Sequence, residues 1–326
     1  GSIACERSYQ MSAARYRPKV GLILGSGSAR GWAHIGVINE LNKAGIHPDI
    51  VCGTSIGALV GGVYASGHLD ELEKWVTSLG LKDVVSFMDL TLTGGVLKGE
   101  RLMAFFREKF KDSDIETLEI PFGAVATSLY SGDEIWLRSG SMLGAVRASI
   151  ALPALFAPVR HNGQILVDGG LVNPVPVSLA RAMGADILIA VDLNSDLLGR
   201  HLRKEEQPES NSRSPAPDQS DEQSREWVKR IQNNLYPLLP TWNDAIKDEP
   251  EIPSVLNVVA SSINIMQERI TRSRMVGEPP HIIIAPRLAH LGLLDFHRAE
   301  EAIEAGAQTA RECIPAIKTF DIRTSV

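Results

Sequence analysis

Cysteine is scarce in this chain: Cys5, Cys52 and Cys313 are the only three in 326 residues, an odd number, widely spaced and in no metal-ligand pattern. That excludes a disulfide framework and points to a reducing compartment. Long apolar runs are missing too. None approaches the roughly 20 residues that a membrane-spanning helix needs, and the opening GSIACERSYQMSAARYRPK has no apolar core of signal-peptide length. Nor is there an excess of positive charge: 33 Lys and Arg stand against 39 Asp and Glu, a net charge of −6. No global field therefore draws the chain to nucleic acid, and any membrane contact has to be local.

What is present, 44% hydrophobic and 22% charged residues, is the balance of a soluble globular protein with a sizeable core. The expected location is cytoplasmic, with membrane contact no more than peripheral. Residues 1–17 read as a tail, in part a cloning remnant, given Gly1-Ser2 and the later Met11. A single domain is expected over residues 18–320, and a homodimer is compatible with it. Residues 197–226 interrupt it with a stretch rich in Ser, Pro, Glu and Gln and nearly free of apolar side chains. Such a segment cannot bury enough surface to offset its ordering entropy and reads as a mobile insertion.

Val20–Leu24 (VGLIL) is a buried strand by its composition, followed from Gly31 by a helical pattern that closes at Gly45. Asp49–Cys52 is a second short strand, followed by a second helix. Strand–turn–helix twice in succession opens a parallel α/β sheet. Further strands are expected at Phe122–Leu129 and Glu134–Leu137 (a hairpin), Gln164–Val167, Asp186–Asp192 and Ile282–Ala285, with helices at Met142–Ser149, Val177–Met183, 254–275 and Ala299–Ile317. The expected fold is a three-layer α/β sandwich with a mainly parallel central sheet.

Three segments carry chemistry. Gly53-Thr54-Ser55-Ile56-Gly57 is G-x-S-x-G between a strand and a helix. A nucleophilic serine on so sharp a turn projects its hydroxyl from the sheet, and flanking glycines avoid Cβ clashes. Gly25-Ser26-Gly27-Ser28-Ala29-Arg30-Gly31 is a second strand-to-helix turn that offers backbone N–H groups to an anion. No Walker Lys-Ser/Thr follows, and Arg30 sits where a dinucleotide fingerprint needs its third glycine. An acyl-transfer oxyanion is therefore the better occupant than a phosphate. Arg30 either adds positive charge there or pins the loop. Asp168-Gly169-Gly170 ends the strand at Gln164–Val167, where the aspartate either caps a turn or points into a site above the sheet.

A Ser–His–Asp triad would need a histidine near the chain end, which leaves His290 or His297 as a rival assignment. Only one strand precedes the strand that leads into the G-x-S-x-G turn, however, where α/β-hydrolases have several.

Taken together, GLILGSGSARGWAHIGVI, GTSIGALVGG and LVDGGLVNPVPV, in this order, resemble the patatin-like phospholipases. Among these, the likeness is to the bacterial proteins related to neuropathy target esterase. It runs from Lys19 to Asp196 and resumes from Ile252 through His297. The resemblance implies a Ser–Asp dyad without histidine, carried by Ser55 and Asp168. It also implies an oxyanion hole at Ser26, Gly27 and Ser28, and motif glycines at positions 25, 31, 53, 57, 169 and 170. No metal or organic cofactor is implied. Many relatives carry glycine where this chain has Ser26 and Ser28. Serine still offers the N–H, but only glycine escapes the Cβ restriction on its dihedrals.

In such a dyad Asp168 takes the Ser55 proton and returns it to the leaving group. A solvated aspartate, with a pKa near 4, is a weak base for that task, and burial would raise it. The expected activity is an esterase or lysophospholipase acting on lipid acyl esters. A thioesterase using the same dyad, or a lipid-binding protein with little turnover, are the alternatives. Phe87–Leu92 with Leu97, Leu102, Phe105 and Phe106 form either a lid or rim or an ordinary core face. Lys98, Arg101, Arg107, Lys109 and Lys111 form either a membrane-facing patch or a solvated helix face. Cys52 is expected to be buried filler.

Overall fold

A computed structural model describes residues 17–87, 100–110, 112–153, 155–196 and 255–320. The 197–226 insertion, residues 88–99 of the expected lid or rim, and Lys98 and Lys111 lie outside the described residues, as do the side chains of Phe87, Arg101 and Leu102.

The strands are β1 Val20–Leu24, β2 Ile50–Thr54, β3 Phe122–Ser128, β4 Glu134–Leu137, β5 Val159–His161, β6 Gln164–Asp168, β7 Ile187–Val191 and β8 Ile282–Ile284. The helices are α1 Ala33–Lys43, α2 Ile56–Ala65, α3 Leu69–Ser78, α4 Leu81–Phe87, α5 Glu100–Lys109, α6 Met142–Ser149, α7 Val177–Ala182, α8 Val255–Gly277 and α9 Ala299–Ile317. All eight strands form one sheet, with neighbours in the order β5-β6-β3-β2-β1-β7-β8 and β4 paired to β3. The pairs β1–β2, β1–β7, β2–β3 and β7–β8 are parallel, whereas β3–β4, β3–β6 and β5–β6 are antiparallel. This is the mainly parallel α/β sheet that the strand–helix alternation implies.

Alternate residues of a strand face opposite sides of the sheet, and the core divides accordingly. Leu22, Leu24, Val51, Ala124 and Ile189 pack with α1, α2, α6 and α9. Ile23, Ile50, Cys52, Val125 and Leu188 pack on the other side, with Val177 and Leu179 of α7.

Two differences from the sequence reading bear on the site. β2 runs on through Gly53 and Thr54, so its last residue abuts Ser55 directly. A strand absent from that reading, β5, ends at His161 and joins β6 through Asn162 (φ 45°) and Gly163 (φ 77°). Two consecutive positive-φ residues make the tight connection that matches the twist of a hairpin.

The register then explains why Ser55 and Asp168 meet. β2 pairs with β3 up to Thr54↔Val125, and β6 pairs with it from Asp168↔Ala126. β4 occupies residues 124–127 of β3 and overlaps both of these partners. A strand has only two edges, so β2 and β6 must share the other edge of β3, end to end. The C-terminus of one strand thus points at the C-terminus of the other, with Ser55 just beyond the first and Asp168 closing the second.

Candidate active site

Ser55 has φ 57° and ψ −125°, a region that residues with a Cβ rarely occupy. Its surroundings enforce the strain. Its N–H donates to Ser149 Oγ at 2.8 Å, and that hydroxyl donates to Val125 O at 2.6 Å. Its carbonyl accepts from the N–H groups of Ala58 and Leu59, which starts α2. Ser149 is fully buried at the end of α6. It belongs to no motif; a polar residue between Ala148 and Ile150 was the only signal in the sequence.

The turn is also packed to backbone contact. A Cβ on Gly53 would lie 2.4 Å from Gly57 C, and one on Gly57 would lie 2.1 Å from Leu24 O. Both positions therefore require glycine for space. Gly31 gives similar access: a Cβ there would lie 2.1 Å from Ile56 Cγ1, so the glycine-rich turn rests directly on the start of α2.

Asp168 is completely buried. Its Oδ2 accepts from Ser55 Oγ at 2.5 Å, and its Oδ1 accepts from Gly170 N–H at 2.7 Å. Loss of solvation raises its pKa from the ordinary 3.8 to about 6, against the opposing pull first of the Ser55 hydrogen bond and then of the Gly170 hydrogen bond. The carboxyl is held in place from its backbone as well, since Thr127 Oγ1 donates to Asp168 O at 2.8 Å. Neither His290 nor His297 hydrogen-bonds to Ser55 or Asp168. His290 pairs with Glu301 at 2.7 Å on the surface.

In the glycine-rich turn three carbonyls are gripped in succession. His34 Nε2 contacts Gly25 O at 2.8 Å, Asn194 Nδ2 donates to Ser26 O at 3.4 Å, and Arg30 Nε donates to Gly27 O at 3.1 Å. Burial lowers the His34 pKa to about 4, so the ring is neutral and Nε2 carries the proton it gives to Gly25 O. Arg30 is itself buried, and its other end donates to Asn264 Oδ1 at 3.2 Å. The guanidinium is thus a brace within the loop.

In a trans peptide each N–H points away from the preceding carbonyl, so these grips orient the N–H groups of Ser26, Gly27 and Ser28. Ser26 is a correction to the expected hole: its N–H donates to Pro174 O at 2.9 Å and is not free for an oxyanion. Those of Gly27 and Ser28 have no acceptor among the described residues. Ser28 takes φ 51°, the conformation glycine would adopt easily, and its Oγ bonds to Leu293 O at 2.6 Å.

The loop after Asp168 links these parts. Asn173 O accepts from Thr54 Oγ1 at 2.8 Å, and Asn173 N–H donates to Gly169 O at 2.9 Å. One short segment thereby holds both turns, with Gly25 N–H fixed to Val191 O at 3.0 Å.

A largely apolar pocket opens over Ser55. Ser26, Gly27, Ser28 and Ser55 line it together with Trp32, Leu59, Trp75, Phe106, Phe156 and Phe296. Phe106 is thus pocket wall, whereas Phe105 stacks on Trp75 with ring centroids 4.6 Å apart. Arg107 and Lys109 are exposed on α5. Cys52 is buried against Met183, with its thiol pKa pushed up by burial, which suits packing and not nucleophilic chemistry. Among the described residues no three His, Cys, Asp or Glu side chains gather as a metal site, and no helix is long and apolar enough to cross a membrane.

A mainly parallel α/β sheet with a serine at a strained strand-to-helix turn, facing a buried carboxylate, defines a class of hydrolase-like folds. Residues 22–181 match the family model of the patatin-like phospholipases. An NTE family protein of Mycobacterium tuberculosis is 31% identical over 93% of this chain and 93% of its own length. The chain belongs to this family of patatin-like, NTE-type proteins. The lysophospholipase nte1 of Emericella nidulans is 27% identical over 92% of this chain, which corresponds to 18% of that larger protein. VipD from Legionella pneumophila has a similar fold, with a TM-score of 0.50 at 14% identity, covering 92% of this chain and 67% of VipD.

Proposed function

We propose that the protein hydrolyses acyl esters of lipids through a Ser55 acyl-enzyme, with Asp168 as general base and then general acid. The observation that carries this reading is the 2.5 Å contact between Ser55 Oγ and a fully buried Asp168, at the polar end of an apolar pocket. Ser55 Oγ attacks the ester carbonyl while its proton passes to Asp168. The oxyanion receives the N–H groups of Gly27 and Ser28, next to the N-terminal end of α2. Collapse breaks the bond to the leaving alcohol, which takes the proton back from Asp168. A pKa near 6 lets the carboxylate accept that proton more readily than a solvated aspartate would.

The apolar pocket is read as the site of the acyl chain. Each buried methylene contributes about 0.8 kcal/mol, so kcat/KM is expected to rise about three- to fourfold per added carbon until the pocket is full. A series of p-nitrophenyl esters from acetate to palmitate checks this, alongside fatty-acid release from lysophosphatidylcholine and from an acyl thioester. A flat series would indicate a small-ester hydrolase, and faster release from the thioester would indicate a thioesterase. Lipid binding without release would indicate a binding protein.

A further inference from the structure

Gln267 lies on α8, far from every motif, yet it lines the same pocket as Ser55 and is 4% exposed. Its carboxamide has a fixed orientation. Ser26 Oγ donates to Gln267 Oε1 at 2.9 Å. Asn194 Nδ2, whose identity as a donor is set by its contact with the carbonyl oxygen of Ser26, reaches the same Oε1 at 3.5 Å. With the oxygen occupied by two donors, the amide nitrogen must point the other way. It finds no acceptor among the described residues.

Where Nε2 points is given by Gly170. A Cβ built on that glycine would lie 2.4 Å from Gln267 Nε2 and 3.0 Å from Asp168 Oδ1. Donor and carboxylate oxygen are therefore no more than about 5.4 Å apart, a separation that one bridging water spans. In a pocket that is otherwise apolar, this is a site for one polar molecule beside the general base.

We propose that Gln267 Nε2 and Asp168 together hold the water that hydrolyses the acyl-enzyme, which makes Gln267 a catalytic residue of deacylation. The proposal rests on the Ser55 acyl-enzyme reading. The water accepts one hydrogen bond from Gln267 through one lone pair and attacks the acyl carbon with the other, forming the new C–O bond. One of its protons passes to Asp168. When the tetrahedral intermediate collapses, the bond from the acyl carbon to Ser55 Oγ breaks, Ser55 Oγ takes the proton from Asp168, and the free acid departs. Ser26 thereby acquires a role: its hydroxyl aims the carboxamide.

The test separates acylation from deacylation. Wild type, Gln267→Met and Gln267→Asn are mixed rapidly with a p-nitrophenyl ester, and p-nitrophenol release is followed alongside the intact mass. Methionine keeps the bulk but has no donor, and asparagine keeps the donor but withdraws it. Both variants are expected to acylate at nearly the wild-type rate while steady-state turnover falls about 10- to 100-fold, with the acyl adduct accumulating on the protein. Hydroxylamine, a nucleophile strong enough to act without being held, is expected to restore release. Acylation slowed as much as turnover, or turnover unchanged in either folded variant, would overturn the proposal. Failure of a fluorophosphonate to label Ser55 in the wild type would instead bring down the Ser55 reading beneath it.

Discussion

Asp168→Asn is expected to lower kcat by about a thousandfold or more, as loss of a general base does, and yet to yield a protein that melts higher than wild type at pH 8. Asparagine can accept from Gly170 and donate to Ser55, so the local geometry has a path to survive. The buried carboxyl has a pKa of about 6 against an ordinary 3.8. A raised value means that folding favours the protonated form: the relative stability is full below about pH 4 and is lost as pH rises through about 6. A shift of about two units is on the order of 3 kcal/mol at pH 8, and asparagine escapes that cost. Calorimetry of both proteins at pH 8 and pH 4.5 checks the sign: the gap in melting temperature should shrink on acidification. The same ionisation predicts a rising limb in wild-type kcat/KM near pH 6. A variant less stable than wild type by equal amounts at both pH values would show that the carboxylate is not an electrostatic burden.

Gly57→Ala is expected to be the most damaging single-methyl change in the turn. The new Cβ would meet Leu24 O at 2.1 Å, Leu24 C at 2.5 Å and Gly25 O at 2.7 Å, all backbone atoms of β1 and the turn that follows it. No side chain can rotate to relieve this, so β1 and α2 must separate. Overpacking of this kind costs about 3 kcal/mol or more. Because both turns of the proposed site are attached to those elements, a displacement near 1 Å would cost a further factor of about 100 in turnover. Denaturant melts and ester hydrolysis by the residual folded fraction measure the two effects separately. Wild-type stability in Gly57→Ala would mean that this contact is looser than the geometry indicates.

Much of the candidate site was legible in the sequence because its turns are local. G-x-S-x-G declares a tight turn through glycine spacing, and Asp168 is marked by the two glycines after it. What brings them together was not legible. β2 and β6 meet end to end along β3, a consequence of register that pattern cannot reveal. Asn162-Gly163 was a readable hairpin signal, and its neglect hid β5. Ser149 and Gln267 are single polar residues whose partners lie 94 and 241 positions away. No local pattern marks a contact of that kind. Ser26 was misassigned as an oxyanion donor for the same reason, since the acceptor that occupies its N–H, Pro174 O, belongs to a distant loop.

The most direct measurement is the intact mass of wild type, Ser55→Ala and Asp168→Asn after exposure to a fluorophosphonate. A serine activated by a buried aspartate requires one adduct on wild type, none on Ser55→Ala, and a labelling rate on Asp168→Asn reduced by orders of magnitude. An adduct that persists in Ser55→Ala would contradict the assignment of the nucleophile. Equal labelling of Asp168→Asn and wild type would contradict the dyad.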